Sequence, residues 1–250
     1  MKFAVTIATY KRRDGQTPYF LKRALDSVFN QTHQDFRVFI VGDGYEDVEE
    51  FNEIISNYPQ EKIYAINLPE SYDRLKYKGP NVEPIVYEDG LIYNNRILWC
   101  NSGRVPMNIG IELALNSGYD WIAHLDHDDF WEPNHLELIN NVVERYGYEC
   151  VWITTKATYG PDDIMEFDTN GWDVIGHLPS AYNVIHSAVA MNMKRIPLRY
   201  RDVWEEEGRM MPTDADFWDR LREFIPQNGY TGTYIDALTC RHDEEGGDKY

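Results

Sequence analysis

The feature that most restricts this chain is an alternation. In its first 145 residues, strand-length apolar runs and helically spaced apolar residues follow one another four times. Phe3, Val5 and Ile7 alternate in FAVTIAT, and Leu21, Ala24, Leu25 and Val28 then recur at helical spacing. FRVFIVG (36–42) is a second strand and leads to Val48, Phe51 and Ile55, spaced as on a helix. KIYAINL (62–68) is a third strand, and a helix is expected from about Arg104 to Asn116. WIAHLD (121–126) is a fourth, followed by Leu136, Ile139 and Val143 behind Pro133, a residue suited to a helix start. Such repetition predicts an α/β fold, a mainly parallel central sheet flanked by helices. Ligands of such sheets bind beyond the carboxyl ends of the strands. The loops after Ile7, Val41 and Leu125 are therefore expected on one rim.

The remainder is less regular. Residues 69–99 read as a long insertion of the kind that forms lids and binding loops, with a hairpin at Glu88-Asp89-Gly90. VWITTKATYG (151–160) reads as an edge strand or hairpin, NVIHSAVAMNM (183–193) as a strand, and the segment from Thr213 as a helix. A single domain over 1–250 is expected: a ligand-binding half at 1–130, a second half at 131–240 and a polar tail at 241–250. The acidic balance, 42 Asp and Glu against 24 Lys and Arg for a net charge of −18, argues against nucleic acid or an anionic membrane as partner. Cys100, Cys150 and Cys240 form no paired framework, and no apolar run approaches the ~20 residues that span a bilayer. These features predict a cytoplasmic protein with reduced thiols and no stable membrane insertion.

Three loops carry chemistry. Leu125-Asp126-His127-Asp128-Asp129 ends an apolar strand with three carboxylates, which repel one another unless neutralised. A hard cation with oxygen ligands, Mn²⁺ or Mg²⁺, answers that need, with Asp128 the first candidate ligand. Phe130 and Trp131 stand where an EF-hand would need ligands and glycine. Asp43, in Val41-Gly42-Asp43-Gly44, is placed at a strand end to accept an N–H from a nucleobase. Thr9 and Tyr10 can line a nucleotide, with Arg12 from Lys11-Arg12-Arg13 near its phosphates. The first strand is followed by neither a GxGxxG nor a Walker A run, which excludes the dinucleotide oxidoreductases and the P-loop NTPases. A nucleotidyltransferase would also need a glycine-rich loop there.

Together these elements resemble the GT-A fold of the family 2 glycosyltransferases, over residues 2–145 and more loosely 180–225. VTIATYKR is similar to the family's first strand and loop, and Gly42-Asp43-Gly44-Tyr45 to its Asp-Asp-Gly-Ser element. Val105-Pro106-Met107-Asn108-Ile109-Gly110 is similar to its Ala-Arg-Asn-x-Gly element, and Asp126-His127-Asp128 matches its Asp-x-Asp metal motif. Thr213-Asp214 stands where the family has Glu-Asp. The resemblance implies an inverting, metal-dependent transfer of a sugar from a UDP, GDP or dTDP donor to a glycan or other hydroxyl acceptor. It implies Asp214 as general base, Asp128 and a late His242 as metal ligands, and Thr9, Tyr10, Arg12, Asp43, Asn108, Asp126 and His127 around the donor. The acceptor is expected between the 69–99 insertion and residues 155–182, where Trp172, His177 and Tyr182 are candidate contacts. The departures at Gly42, Met107 and Thr213 leave one alternative, a non-catalytic sugar- or nucleotide-binding module on the same fold.

Overall fold

The structure is a computed structural model that describes residues 1–86, 90–159, 163–165, 174–181 and 184–242. Its strands are β1 (Phe3–Thr9), β2 (Phe36–Gly42), β3 (Ile63–Asn67), β4 (Trp121–His124), β5 (Phe130–Trp131), β6 (Cys150–Tyr159), β7 (Asp163–Met165), β8 (Val174–Ile175), β9 (Val189–Asn192) and β10 (Thr231–His242). Its α-helices are α1 (Thr17–Phe29), α2 (Val48–Ser56), α3 (Tyr72–Lys78), α4 (Asn94–Asn101), α5 (Arg104–Asn116), α6 (His135–Tyr146), α7 (Val203–Glu207) and α8 (Thr213–Gln227). One sheet runs β3-β2-β1-β4-β9-β6-β10-β5, with β7 beside β6 and β8 beside β10.

Period-two patterning explains the two cores. Phe3, Val5 and Ile7 of β1 point to one face, where Leu21, Leu25, Leu136 and Ile139 of α1 and α6 cover them. Ala4 points to the other, with Phe39, Ile111, Trp152, Phe217 and Trp218. The sheet is thus buried on both faces around β1, β2 and β4, which is why those strands are mostly apolar. A small third cluster of Tyr77, Ile97 and Leu98 joins α3 to α4.

Register places the site. β1 pairs with β2 from Phe3–Phe36 through Thr9–Gly42, so both strands end level. β4 pairs with β1 up to Thr6–His124, and Leu125 N–H continues the ladder to the Thr6 carbonyl at 3.1 Å. The chain steps from β1 outward to β2 and β3 on one side, then returns through α5 to β4 on the other. That reversal between β1 and β4 opens a crevice at the carboxyl rim.

The second half departs from expectation. The parallel arrangement holds for β3, β2, β1 and β4 and again for β6 with β10, but β9 runs antiparallel to β4 and β6. Parallel neighbours need a crossover, and among the described residues no α-helix lies between β6 and β9. VWITTKATYG is an inner strand, hydrogen-bonded to β9 and β10, rather than an edge. Among the described residues of NVIHSAVAMNM only Val189–Asn192 is strand, after a 3₁₀ turn at His186–Ala188. The 69–99 insertion contains α3 and most of α4, which ends at Asn101. Of the hairpin expected there, Glu88 and Asp89 lie outside the described residues, while Val86 and Ile92 form an antiparallel bridge. Arg241 and His242 end β10, and the rest of the 241–250 tail lies outside the described residues. Among the described residues no helix is long and apolar enough to cross a membrane, and the three cysteines are buried and unpaired.

Gly44 fixes the turn that carries Asp43. Its φ is +72°, and an added Cβ would fall 2.5 Å from the Ser71 nitrogen. Gly44→Ala is therefore expected to cost about 2 kcal/mol or more, combining left-handed strain with a backbone clash. Urea denaturation of the two proteins measures it.

Candidate active site

The rim begins at β1. Thr9 is buried, its hydroxyl 2.7 Å from the Tyr45 hydroxyl, and its carbonyl accepts the Asp43 N–H at 2.7 Å. Asp43 Oδ2 in turn accepts from Ser71 Oγ at 2.7 Å. Burial raises the Asp43 carboxyl above its ordinary range, and the Ser71 hydrogen bond only partly offsets that. Beside them Tyr10, Asp43, Ser71, Asp73, Arg74, Leu98, Ser102 and Gly103 enclose a narrow recess, with the Arg74 guanidinium 5.5 Å from the Tyr10 ring centre.

The acidic turn after β4 resolves its repulsion with the protein's own cations. Asp129 is wholly buried; its carboxylate accepts from Ser187 Oγ at 2.5 Å and lies 3.0 Å from His242 Nδ1. Burial alone would lower the His242 pKa, but the hydrogen bond and charge of Asp129 prevail and push it up to about 9. Asp128 lies 3.4 Å from Arg12 Nη1, while its carbonyl accepts from Arg23. Asp126 Oδ1 is 3.0 Å from His186 Nδ1, and its N–H donates to Ser187 Oγ at 2.9 Å. Burial opposes the charge on Asp126, yet His186 holds the carboxyl well below the usual range. His186 Nε2 is 2.8 Å from the Tyr200 hydroxyl, and its ring stacks on the buried His124 at 4.6 Å. Burial keeps His124 neutral, with Nδ1 2.8 Å from Thr6 Oγ1.

Asp214 arrives from the opposite wall, in the first turn of α8. Its Oδ1 accepts the Ala215 N–H at 2.8 Å, and burial raises its carboxyl despite the attraction of His186. The helix start is pinned next door, where Thr213 Oγ1 donates to the Arg201 carbonyl at 2.8 Å.

A cavity of about 300 Å³ joins these parts. It brings together Thr9, Tyr10, Asp43, Asp126, His127, Asp128 and Asp214, residues up to 205 positions apart. His127 sits edge-on to Tyr10 at 5.0 Å, with Nε2 buried and without a hydrogen-bond partner among the described residues. Three residues expected at the site are not in its wall. Arg12 is buried and committed to Asp14 at 2.6 Å. Asn108 bonds the Tyr200 backbone twice, its amide donating to the carbonyl at 2.7 Å and its Oδ1 accepting the N–H at 3.0 Å. His242 lies with Nδ1 3.0 Å from Asp129 Oδ1, at the end of β10. Among the described residues no three His, Cys, Asp or Glu side chains cluster as a ready metal site. The donor set still suits a hard cation that takes one or two carboxylates and completes its shell from a ligand, since Asp126 and Asp128 both reach the cavity. Of the expected acceptor contacts, Trp172 and Tyr182 lie outside the described residues, and His177 stacks on Trp152 at 5.4 Å. Sequence reasoning missed His186 and Trp99. For His186 a signal existed: the polar His-Ser pair inside the apolar run NVIHSAVAM.

The chain is 35% identical to an uncharacterized glycosyltransferase of Acanthamoeba polyphaga mimivirus, an alignment that covers 98% of this chain and 95% of that one. The chain belongs to the glycosyltransferases. No protein-family model matches it. This glycosyltransferase is also 28% identical over 152 residues to the succinoglycan biosynthesis protein ExoW of Rhizobium meliloti, covering 60% of its own length and 37% of that protein. Solved structures share its fold at low identity. S. aureus TarS in complex with UDP matches at a TM-score of 0.59 and 12% identity, over 97% of this chain. The mannosyltransferase PcManGT of Pyrobaculum calidifontis, in complex with GDP-Man and Mn²⁺, matches at 0.53 and 14%, over 98%. The glycosyltransferase spans 60% of the TarS chain and 58% of the PcManGT chain.

The fold depends unequally on the carboxylates of the acidic turn. Asp129→Ala is expected to cost about 3 kcal/mol, because it strands a buried partner, whereas Asp128→Ala at the cavity wall should stay within about 1 kcal/mol of the parent. Urea unfolding of both variants checks the contrast.

Proposed function

We propose that this glycosyltransferase is an inverting, GT-A, family 2-like enzyme that moves a sugar from a nucleoside diphosphate donor to a hydroxyl acceptor. The observation that carries this is the shared cavity: Asp43, Asp126 and Asp128 on its sheet side, Asp214 on its helix side. The nucleotide-bound complexes of TarS and PcManGT support the donor class. In this reading residues 1–130 hold the donor, residues 131–240 hold the acceptor, and the enzyme works in the cytoplasm.

The base lies against Tyr10, with Asp43 accepting a base N–H and Arg74 on the far side of the same recess. Asp128 and Asp126 would hold Mn²⁺ or Mg²⁺, which would supply stabilisation of the charge that gathers on the leaving group. Asp126 can serve because His186 keeps it ionised, and Tyr200 fixes His186 from behind. Asp214 takes the acceptor proton as that oxygen bonds to the anomeric carbon from the face opposite the donor. The anomeric carbon–oxygen bond breaks, and its electron pair leaves with the nucleoside diphosphate. A base with a raised pKa is a stronger base, and burial supplies that here.

Calorimetric titration with UDP, GDP and dTDP, each with and without Mn²⁺, tests the donor site. One nucleotide should bind in a Mn²⁺-dependent way and lose that binding in Asp128→Ala; no binding of any of them removes the reading. Asp214→Asn should lower donor turnover by about 10²-fold or more while nucleotide affinity holds. The pH profile follows from the direction of the shift. The basic form of Asp214 exists only above its raised pKa, so the acid limb of kcat/KM should sit above the ordinary ~3.9 of an aspartate. A carboxyl raised by folding favours the fold when protonated, and that contribution is lost as pH rises through the folded pKa. Asp214→Asn should therefore leave Tm at pH 7 unchanged or higher, which distinguishes a catalytic group from a structural one.

A further inference from the structure

Helix α4 turns one face inward and one face to the cavity. Ile97, Leu98 and Asn101 are buried, and Ile97 and Leu98 pack with Tyr77 of α3. Trp99 points away from that cluster and is 52% exposed, whereas Trp121, Trp131, Trp152 and Trp218 are at most 3% exposed. Among the described residues no other ring pairs with Trp99, yet it lines the cavity together with Cys100, Pro212, Thr213 and Asp214. The α4 terminus and the start of α8 are close enough that the Asp214 charge helps raise the Cys100 thiol, after burial has done most of it. Trp99 takes no part in the recess beside Asp43, Ser71 and Arg74; Leu98 closes that side. Tyr10 and Asp43 line both the recess and the larger cavity, whereas the exposed indole lines the larger cavity beside Asp214 and not the recess.

Resting on the assignment of Asp214 as general base, we propose that Trp99 is the platform of the acceptor subsite and that the acceptor is a saccharide. The acceptor hydroxyl must come within hydrogen-bond reach of Asp214, so the body of the acceptor must extend across the wall beside it. That wall offers a flat, unpaired, amphipathic ring. A pyranose presents an apolar C–H face that fits such a ring, and its peripheral hydroxyls stay hydrated or turn toward Asp214. The exposure of a large aromatic in a concave site is then explained by the face it covers once the acceptor binds.

The test compares the wild type with Trp99→Ala and Trp99→Phe by NMR titration with methyl α-glucoside, methyl β-galactoside, methyl α-mannoside and chitobiose, with and without UDP or GDP. At least one saccharide should bind the wild type, weaken about tenfold in Trp99→Ala and stay within about threefold in Trp99→Phe. Nucleotide affinity should change by less than about twofold in Trp99→Ala. Binding of no saccharide, or equal binding by the alanine variant, overturns the proposal. So does a loss of nucleotide affinity in Trp99→Ala, which would make the indole a base-stacking residue instead. Failure of the wild type to bind any nucleotide would fall on the donor assignment, while the saccharide titration without nucleotide still reads Trp99 directly.

Discussion

The buried carboxylate of Asp129 ties the rim together. It accepts from Ser187, just ahead of β9, and from His242 at the end of β10, so three distant segments meet on one side chain. A charge taken wholly out of water survives only when its lone pairs are matched, and here they are. Because Asp129 faces inward, its neighbours Asp126 and Asp128 are turned toward the crevice. The second half of the chain is thereby fastened to the end of β4, and the cavity gains its far wall.

Electrostatics at the rim run against the character of the whole. The molecule carries a net charge of −18, yet Arg12, Arg23, His186 and His242 all converge on the turn 126–129. The three carboxylates do not share one counter-ion. Their partners differ in kind: a guanidinium shared with Asp14 for Asp128, imidazoles for Asp126 and Asp129. The turn is therefore stable before any ligand arrives, and its two cavity-facing carboxylates are already aimed.

What the sequence revealed follows the physics of its signals. β1 was legible from period-two alternation, and β2 and β4 from short apolar runs with abrupt polar ends, which mark strands that stop at a common rim. Asp43, Asp126 and Asp128 were legible because a carboxylate at the end of an apolar strand has few structural reasons to be there. β6 misled because its Thr154, Thr155 and Thr158 suggest a solvated face, whereas all three are buried between neighbouring strands. α3 and α4 were hidden because their apolar residues pack on each other rather than on the sheet, so no long stripe appears. Arg12 reads as a ligand-binding cation until Asp14, two residues away, is seen to hold it. His186 sits in a strand-like run and depends on a partner 60 residues earlier, a contact no local pattern encodes.

Asn108 touches nothing in the cavity, yet its amide is bound on both sides to the backbone of Tyr200, whose hydroxyl supports His186. Only a side chain that both donates and accepts in that geometry completes the pair; a carboxylate of the same shape would still accept the N–H but would set an oxygen, in place of the amide donor, against the carbonyl. Residue 108 thus works as a gauge of distance between α5 and the segment behind His186. Asn108, Tyr200, His186 and Asp126 thus form one hydrogen-bonded chain that runs from α5 to the acidic turn.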